Sequence, residues 1–120
     1  GVSGLKAAVR ALRRGEVVAV ACDRNLKQGG ARVRFFGEEA CLPTGAVDLA
    51  AMTGAAVVLV ACVREGRGRF AAHFEKALPV IDGSRNGEAA QQNLQLVMAA
   101  LEKPIRQHPE QWALLWPLWE

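Results

Sequence analysis

The sequence predicts an α/β domain, a mixed sheet flanked by helices, and three observations carry that expectation. Two continuous apolar runs, VVAVAC over residues 17–22 and AAVVLVACV over residues 55–63, have the length and β-branched content of strands buried on both faces. Apolar residues recur at helical spacing near both ends of the chain. The composition is 51% apolar but only 6% aromatic, so the interior is built mainly from Ala, Val and Leu, which suits close packing of helices on a sheet. With 120 residues, the chain makes one compact domain or the larger part of one.

In chain order, Leu5, Ala8, Val9 and Leu12 form one stripe of an amphipathic helix. Lys6, Arg10, Arg13 and Arg14 occupy the rest of its surface, and Gly15 is its expected stop. The first apolar run then forms a buried strand with Asp23 at its end, followed by a polar, glycine-rich turn over residues 25–30. ARVRFF over residues 31–36 alternates as a half-exposed strand does. Pro43 and Thr44 mark a helix start and Gly54 a left-handed stop, so Gly45 to Thr53 reads as a short Ala-rich helix. The second apolar run is another buried strand ending at Arg64, and Arg69 to Phe74 pairs with its neighbour. After Pro79 and the Asp82-Gly83 punctuation, Ala90, Leu94, Val97, Met98, Leu101 and Ile105 form a helical stripe, which Pro104 is expected to kink or end. Residues 109–116 add a short tryptophan-rich helix; Trp112, Trp116 and Trp119 fall on one face if it persists, and packing onto the domain is the favoured reading of them.

Charge and composition exclude several function classes. Fifteen basic and twelve acidic residues leave a net +3, too little to demand nucleic acid, though a local basic face such as Lys6, Arg10 and Arg13 suits an anionic lipid surface or an acidic carrier. Three cysteines, Cys22, Cys41 and Cys62, form no C-x-x-C pair and fit a reducing compartment. No apolar run approaches the ~18 residues that a spanning helix needs. His73 and His108 have no partner spacing for zinc or a nucleophilic dyad, and no glycine pattern here cradles a nucleotide, so neither metal nor cofactor is expected.

The chemistry-bearing stretch is FFGEEACLPTG over residues 35–45, with two phenylalanines, a glycine and two carboxylates in one short turn. A carboxylate shielded by Phe35 and Phe36 loses hydration and can orient a base, with Arg24 or Arg64 as an offsetting cation. Glu38 and Glu39 are the candidates in the turn. Asp23, beyond the first buried strand, and Arg64, beyond the second, lie where ligands gather in open α/β sheets. Arg24, Arg32, Arg34 and Arg64 have the planar fork that grips phosphate.

Three ordered blocks, ALRRGEVVAVACDRNL, VRFFGEEACLPTGAVDLAAMTGAAVVLVACVR and PVIDGSRNGEAAQQNLQLVMAALEKPIRQHPEQWALLWPLW, give the chain its family resemblance. It resembles the bacterial lipid A biosynthesis acyltransferases, including relatives that acylate phosphatidylinositol mannosides, and the unusual tail LWPLW looks more like the latter branch. The resemblance implies a glycerolipid-acyltransferase-like fold, of which residues 1–120 are an incomplete, C-terminal portion. It implies transfer of a fatty acyl group from acyl-CoA or acyl carrier protein to a glycolipid hydroxyl, at the cytoplasmic face of the inner membrane, in peripheral contact with anionic lipid. In that family a His-x4-Asp or His-x4-Glu motif supplies the base and a turn carboxylate orients it; Glu38 matches the latter, which makes it the expected catalytic residue, with Asp23, Arg24 and Arg64 binding substrate. The histidine motif is missing: the fifth residues after His73 and His108 are Leu78 and Ala113. The chain alone is therefore not expected to catalyse, and a lipid- or carrier-binding module without the base is the competing reading.

Overall fold

The computed structural model describes residues 2–25, 29–79, 87–115 and 117–119. Within them the chain is α/β: helix α1 (Val2–Arg13), hairpin β1 (Ala31–Phe35) and β2 (Glu38–Leu42), helix α2 (Gly45–Thr53), hairpin β3 (Val60–Gly66) and β4 (Arg69–Phe74), and helix α3 (Gly87–Gln107), closed by a 3-10 turn at Pro109–Gln111. Both hairpins are antiparallel, and each forms its own two-stranded sheet.

The helices end as their sequences dictate. Gly15 and Gly54 adopt φ of +78° and +70°, the left-handed stop that glycine accepts without a Cβ penalty. Arg10 and Arg13 lie in the last turn of α1, where cations complement the helix dipole. At the start of α2, Thr44 Oγ1 donates to Asp48 Oδ2 at 2.6 Å. Of the two effects expected of Pro104, the ending of α3 does not occur, and the helix runs on to Gln107. Proline in its last turns costs one backbone donor, and the burial of Ile105 in the core keeps the final turn in place.

One core joins β1, β2, α2 and α3: Phe35, Leu42, Val47, Leu94 and Met98 are almost fully buried. Each such side chain contributes about 1.5–3 kcal/mol by leaving water. The β1–β2 register pairs Ala31 with Leu42, Val33 with Ala40 and Phe35 with Glu38, so these six share the face turned to that core. α3 also seals the outer edge of β1. Gln95 accepts the Arg34 N–H and donates to its carbonyl, both at 2.8 Å, and Gln91 donates to the Arg32 carbonyl at 2.6 Å. Gln111 does the same for β3, accepting the Arg64 N–H at 2.7 Å and donating to its carbonyl at 3.1 Å. A glutamine amide presents the donor and acceptor of a neighbouring strand's peptide, so these contacts occupy edges that would otherwise be free to pair.

Four sequence expectations are corrected here. Residues 17–22 form no strand, and Val17 is 94% exposed; an apolar run of this kind needs cover on two faces, and among the described residues only Val18 and Cys22 are partly covered. The second run enters a ladder only at Val60, so Arg64 lies within β3 and not beyond its end. The segment Glu38–Leu42, read as turn, is strand β2, its period masked by two leading carboxylates. The tail after Gln111 is extended rather than helical, while Trp116 and the Asp82-Gly83 punctuation lie outside the described residues.

Gly30 has φ of +130°, and a Cβ there would stand 2.1 Å from the Leu42 carbonyl oxygen, against backbone that cannot yield. Gly30→Ala is expected to lower stability by at least about 2 kcal/mol in urea unfolding. Gly4→Ala, in open space on α1, should instead raise it by up to about 1 kcal/mol.

Candidate functional site

The β1–β2 turn has two central residues, Phe36 and Gly37, with φ of +52° and +81°. Positive φ at both is what a two-residue type I′ hairpin requires, because that turn matches the right-handed twist of its strands. Glycine takes the second position freely. Phe36 does not: an L-residue with a bulky side chain costs about 1–2 kcal/mol in the left-handed region, and Phe36 is the one non-glycine with positive φ among the described residues.

Surrounding contacts hold that conformation. The Phe36 N–H donates to Glu102 Oε1 at 2.7 Å, Trp119 Nε1–H donates to the Phe35 carbonyl at 3.0 Å, and Arg34 Nη1 donates to the Gly37 carbonyl at 3.2 Å. The rings add to this. Phe35 stacks on Trp119 with centroids 5.9 Å apart and meets the edge of Trp112 at 5.8 Å, while Phe36 lies 4.7 Å from Phe35 and 6.1 Å from Trp112. Such pairs contribute about 0.5–1.5 kcal/mol each beyond burial. The Arg106 guanidinium sits 5.0 Å above the Phe36 ring.

The two turn carboxylates separate cleanly. Glu39 points to the outer face and pairs with Arg32 at 2.9 Å. Glu38 shares the strand face of Ala40 and Leu42, opposite the fully buried Phe35, but contrary to the sequence expectation the phenylalanines do not shield it: at the end of the strand it is exposed to solvent. Its carboxylate meets no cation among the described residues.

Asp23 reaches the same aromatic cluster by another route: its Oδ2 accepts the Trp112 Nε1–H at 2.9 Å, and Trp112 in turn packs on both phenylalanines. Arg24 is exposed and borders a small pocket with Asn25, Leu114, Leu115 and Pro117. Arg64 holds Gln111, the neighbour of Trp112, through its main chain, and its guanidinium lies 5.7 Å over the exposed Phe70 ring. The structure thus ties Asp23 to the aromatic cluster through Trp112, relates Glu38 to it only by strand register opposite Phe35, and links Arg64 to it only through its main-chain bonds to Gln111, the neighbour of Trp112. A larger open cleft between the start of β1 and the first turns of α2 and α3, lined by Arg32, Thr44, Asp48 and Gln91, includes none of the four. His108 faces Glu110 at 3.6 Å and His73 is exposed on β4. Among the described residues no cluster of His, Cys, Asp and Glu has the makings of a metal site.

Sequence reasoning passed over Gln91, Gln95, Glu102 and Arg106. Their signal was present as polar residues at helical spacing on the helix that also carries the apolar stripe.

The scaffold is α/β, and the FFGE turn is tightly held by α3 and the tail. The chain belongs to the bacterial lipid A biosynthesis acyltransferase family, whose pattern it matches over residues 2–120. Among individual relatives it is similar to the phosphatidylinositol mannoside acyltransferase of Mycobacterium tuberculosis (strains CDC 1551 / Oshkosh and ATCC 25618 / H37Rv), with 35% identity over 108 residues, 90% of this chain and 32% of the relative. It is also similar to the phosphatidylinositol mannoside acyltransferase of Mycolicibacterium smegmatis (strain ATCC 700084 / mc(2)155), with 31% identity over 102 residues, 85% of this chain and 32% of the relative. The chain therefore spans about a third of the length of these curated relatives. No described helix is long and apolar enough to cross a membrane.

The cysteines differ in reactivity. Burial, and secondarily the neighbouring Asp23 charge, push the Cys22 thiol above its ordinary value, whereas Cys62 is exposed. At mild alkaline pH iodoacetamide is expected to alkylate Cys62 first and Cys22 last, as read by peptide mass mapping. Because the folded chain holds the Cys22 proton more tightly than the unfolded one, this thiol costs nothing at neutral pH and erodes stability as pH rises above the usual thiol range. Cys22→Ala should flatten that alkaline fall in melting temperature.

Proposed function

We propose that the chain is the C-terminal portion of an acyltransferase domain that moves a fatty acyl group from an acyl thioester, on coenzyme A or acyl carrier protein, to a glycolipid hydroxyl. The names of its relatives support a phosphatidylinositol mannoside as acceptor. The observation that carries this reading is Glu38: an acid on the core face of a hairpin, at its open rim, with no cation among the described residues and with its turn fixed against strain. Such a group is available to another side chain.

In the reaction, a histidine supplied from outside these 120 residues takes the proton of the acceptor hydroxyl as that oxygen attacks the thioester carbonyl. Glu38 accepts a hydrogen bond from the other ring nitrogen, fixes the tautomer and stabilises the imidazolium. As the tetrahedral adduct collapses, the C–S bond breaks and the imidazolium returns its proton to the leaving thiolate. Asp23, Arg24 and Arg64 line the substrate side, the arginines offsetting phosphate charge. The outer face of the second hairpin fits this placement. Phe70 and Phe74 are 70% and 73% exposed on the face they share with Val60 and with Arg64, whose guanidinium lies over the Phe70 ring, a face suited to cover by further polypeptide of the same domain.

Membrane contact falls to α1. Lys6, Arg10 and Arg13 are exposed together with Leu5, an arrangement suited to the head groups of anionic lipid at the cytoplasmic face of the inner membrane.

The test is a chimera in which this chain replaces the 108 residues it matches in the M. tuberculosis relative, assayed for acyl transfer to phosphatidylinositol mannoside. Glu38→Ala and Glu38→Gln are expected to cut turnover by about 10²-fold or more. Unchanged turnover removes Glu38 from the mechanism, whereas a folded chimera that transfers no acyl group favours a binding module. Separately, the isolated chain should bind vesicles rich in anionic lipid, more weakly as salt rises, and the Lys6→Glu/Arg10→Glu/Arg13→Glu variant should bind at the level of neutral vesicles. Retained binding would take the membrane role away from α1.

A further inference from the structure

We propose that Glu102 and Arg106 form a buckle that positions the turn acid, a role that rests on the reading of Glu38 as the group orienting the missing base. The two residues are one helical turn apart on α3, joined by an ion pair of 3.0 Å between Arg106 Nη1 and Glu102 Oε2. The other oxygen of Glu102 takes the Phe36 N–H, and the guanidinium of Arg106 lies over the Phe36 ring. One carboxylate thus grips the backbone of the strained residue while its cation grips the side chain. The Glu102 side chain is only 16% exposed, so its bond to the Phe36 N–H is largely shielded from water, whereas Arg106 is 62% exposed.

The choice of glutamate has a chemical reason. Along the same face of α3, Gln91 and Gln95 cap β1, and Gln95 must both accept and donate. At Phe36 the partner is a lone N–H and the other neighbour is a guanidinium, so two acceptors are needed and a carboxylate provides both. Release of this grip lets Phe36 fall back to negative φ. A hairpin turn with negative φ at that position splays its strands, and Glu38, the first residue past the turn, loses its aim.

The experiment has two arms. In the isotopically labelled 120-residue chain, the Phe36 amide should be strongly protected from solvent exchange, and Glu102→Leu should speed its exchange about tenfold or more while other β1 amides hold. In the chimera, Glu102→Leu is expected to lower kcat about tenfold with KM within about twofold, and Glu102→Gln, which keeps the acceptor for the Phe36 N–H, to recover to within about threefold of the parent. Val47→Ala, a core change on α2, should lower melting temperature without that loss of kcat. Should Glu102→Leu fold poorly, Arg106→Met, on an exposed side chain, is expected to lower kcat about threefold with the same selectivity. A Phe36 amide that exchanges freely in the parent, or Glu102→Leu with parental kcat, overturns the buckle. If Glu38→Ala leaves turnover intact, the catalytic reading fails and the positioning role with it; if Glu38→Ala abolishes turnover while Glu102→Leu retains it, the buckle alone fails.

Discussion

The left-handed Phe36 is the constraint on which the rest of the structure depends. The two-residue hairpin between β1 and β2 has positive φ at both central positions, and the two turn types favoured there, I′ and II′, both require it at the first, which here carries a bulky ring. The conformational cost, about 1–2 kcal/mol, is small against what holds it. Three hydrogen bonds fasten the turn's backbone, and four aromatic rings close around it. The contributors come from distant stretches of chain: α3 through Glu102 and Arg106, and the tail through Trp112 and Trp119. The turn is thus the place where the first hairpin, the long helix and the tail become one body. Strain of this sort persists only where surrounding contacts over-determine it, and it concentrates at sites that need fixed geometry.

The same economy governs the strand edges. Two short hairpins expose four edges, and glutamine side chains occupy the outward groups of Arg34 and Arg64 in place of a neighbouring strand. One-sided closure results. The first hairpin is buried against α3, whereas the second shows phenylalanine and valine to solvent. A face of that composition is costly in water and complementary to another apolar layer, which agrees with a chain spanning about a third of its relatives' length.

Much of this was legible in the sequence, and the exceptions share a cause. Helix periodicity and glycine stops are local signals, so α1, α2 and most of α3 were placed from spacing alone, including the left-handed Gly15 and Gly54. Apolar continuity, by contrast, reports what a segment requires and not whether that requirement is met: residues 17–22 read as a doubly covered strand, yet form none and are mostly exposed up to Cys22, which packs against the core. The aromatic cluster was half visible. Phe35 and Phe36 flagged the turn, but the union of Phe35 with Trp119 spans 84 residues and follows no spacing rule. Asp23 was singled out for its place after an apolar run; the structure gives it a different reason to matter, the indole N–H of Trp112.

What distinguishes Glu38 from every other acid in the described chain is the combination of face and partner. Glu39, one residue on, has the same turn and the same solvent, but strand alternation sends it outward to Arg32. Glu102 is paired with Arg106, and Asp48 with a threonine hydroxyl. Glu38 alone combines the core face of the hairpin with the absence of a described cation, and it stands where further polypeptide laid across the rim would meet it first. A carboxylate so placed accepts hydrogen bonds readily, and once covered it interacts with an imidazolium through a medium far less screening than water. Under the proposed mechanism the base comes from outside these 120 residues, and Glu38 follows a turn that cannot relax without breaking contacts to α3 and to both described tail tryptophans.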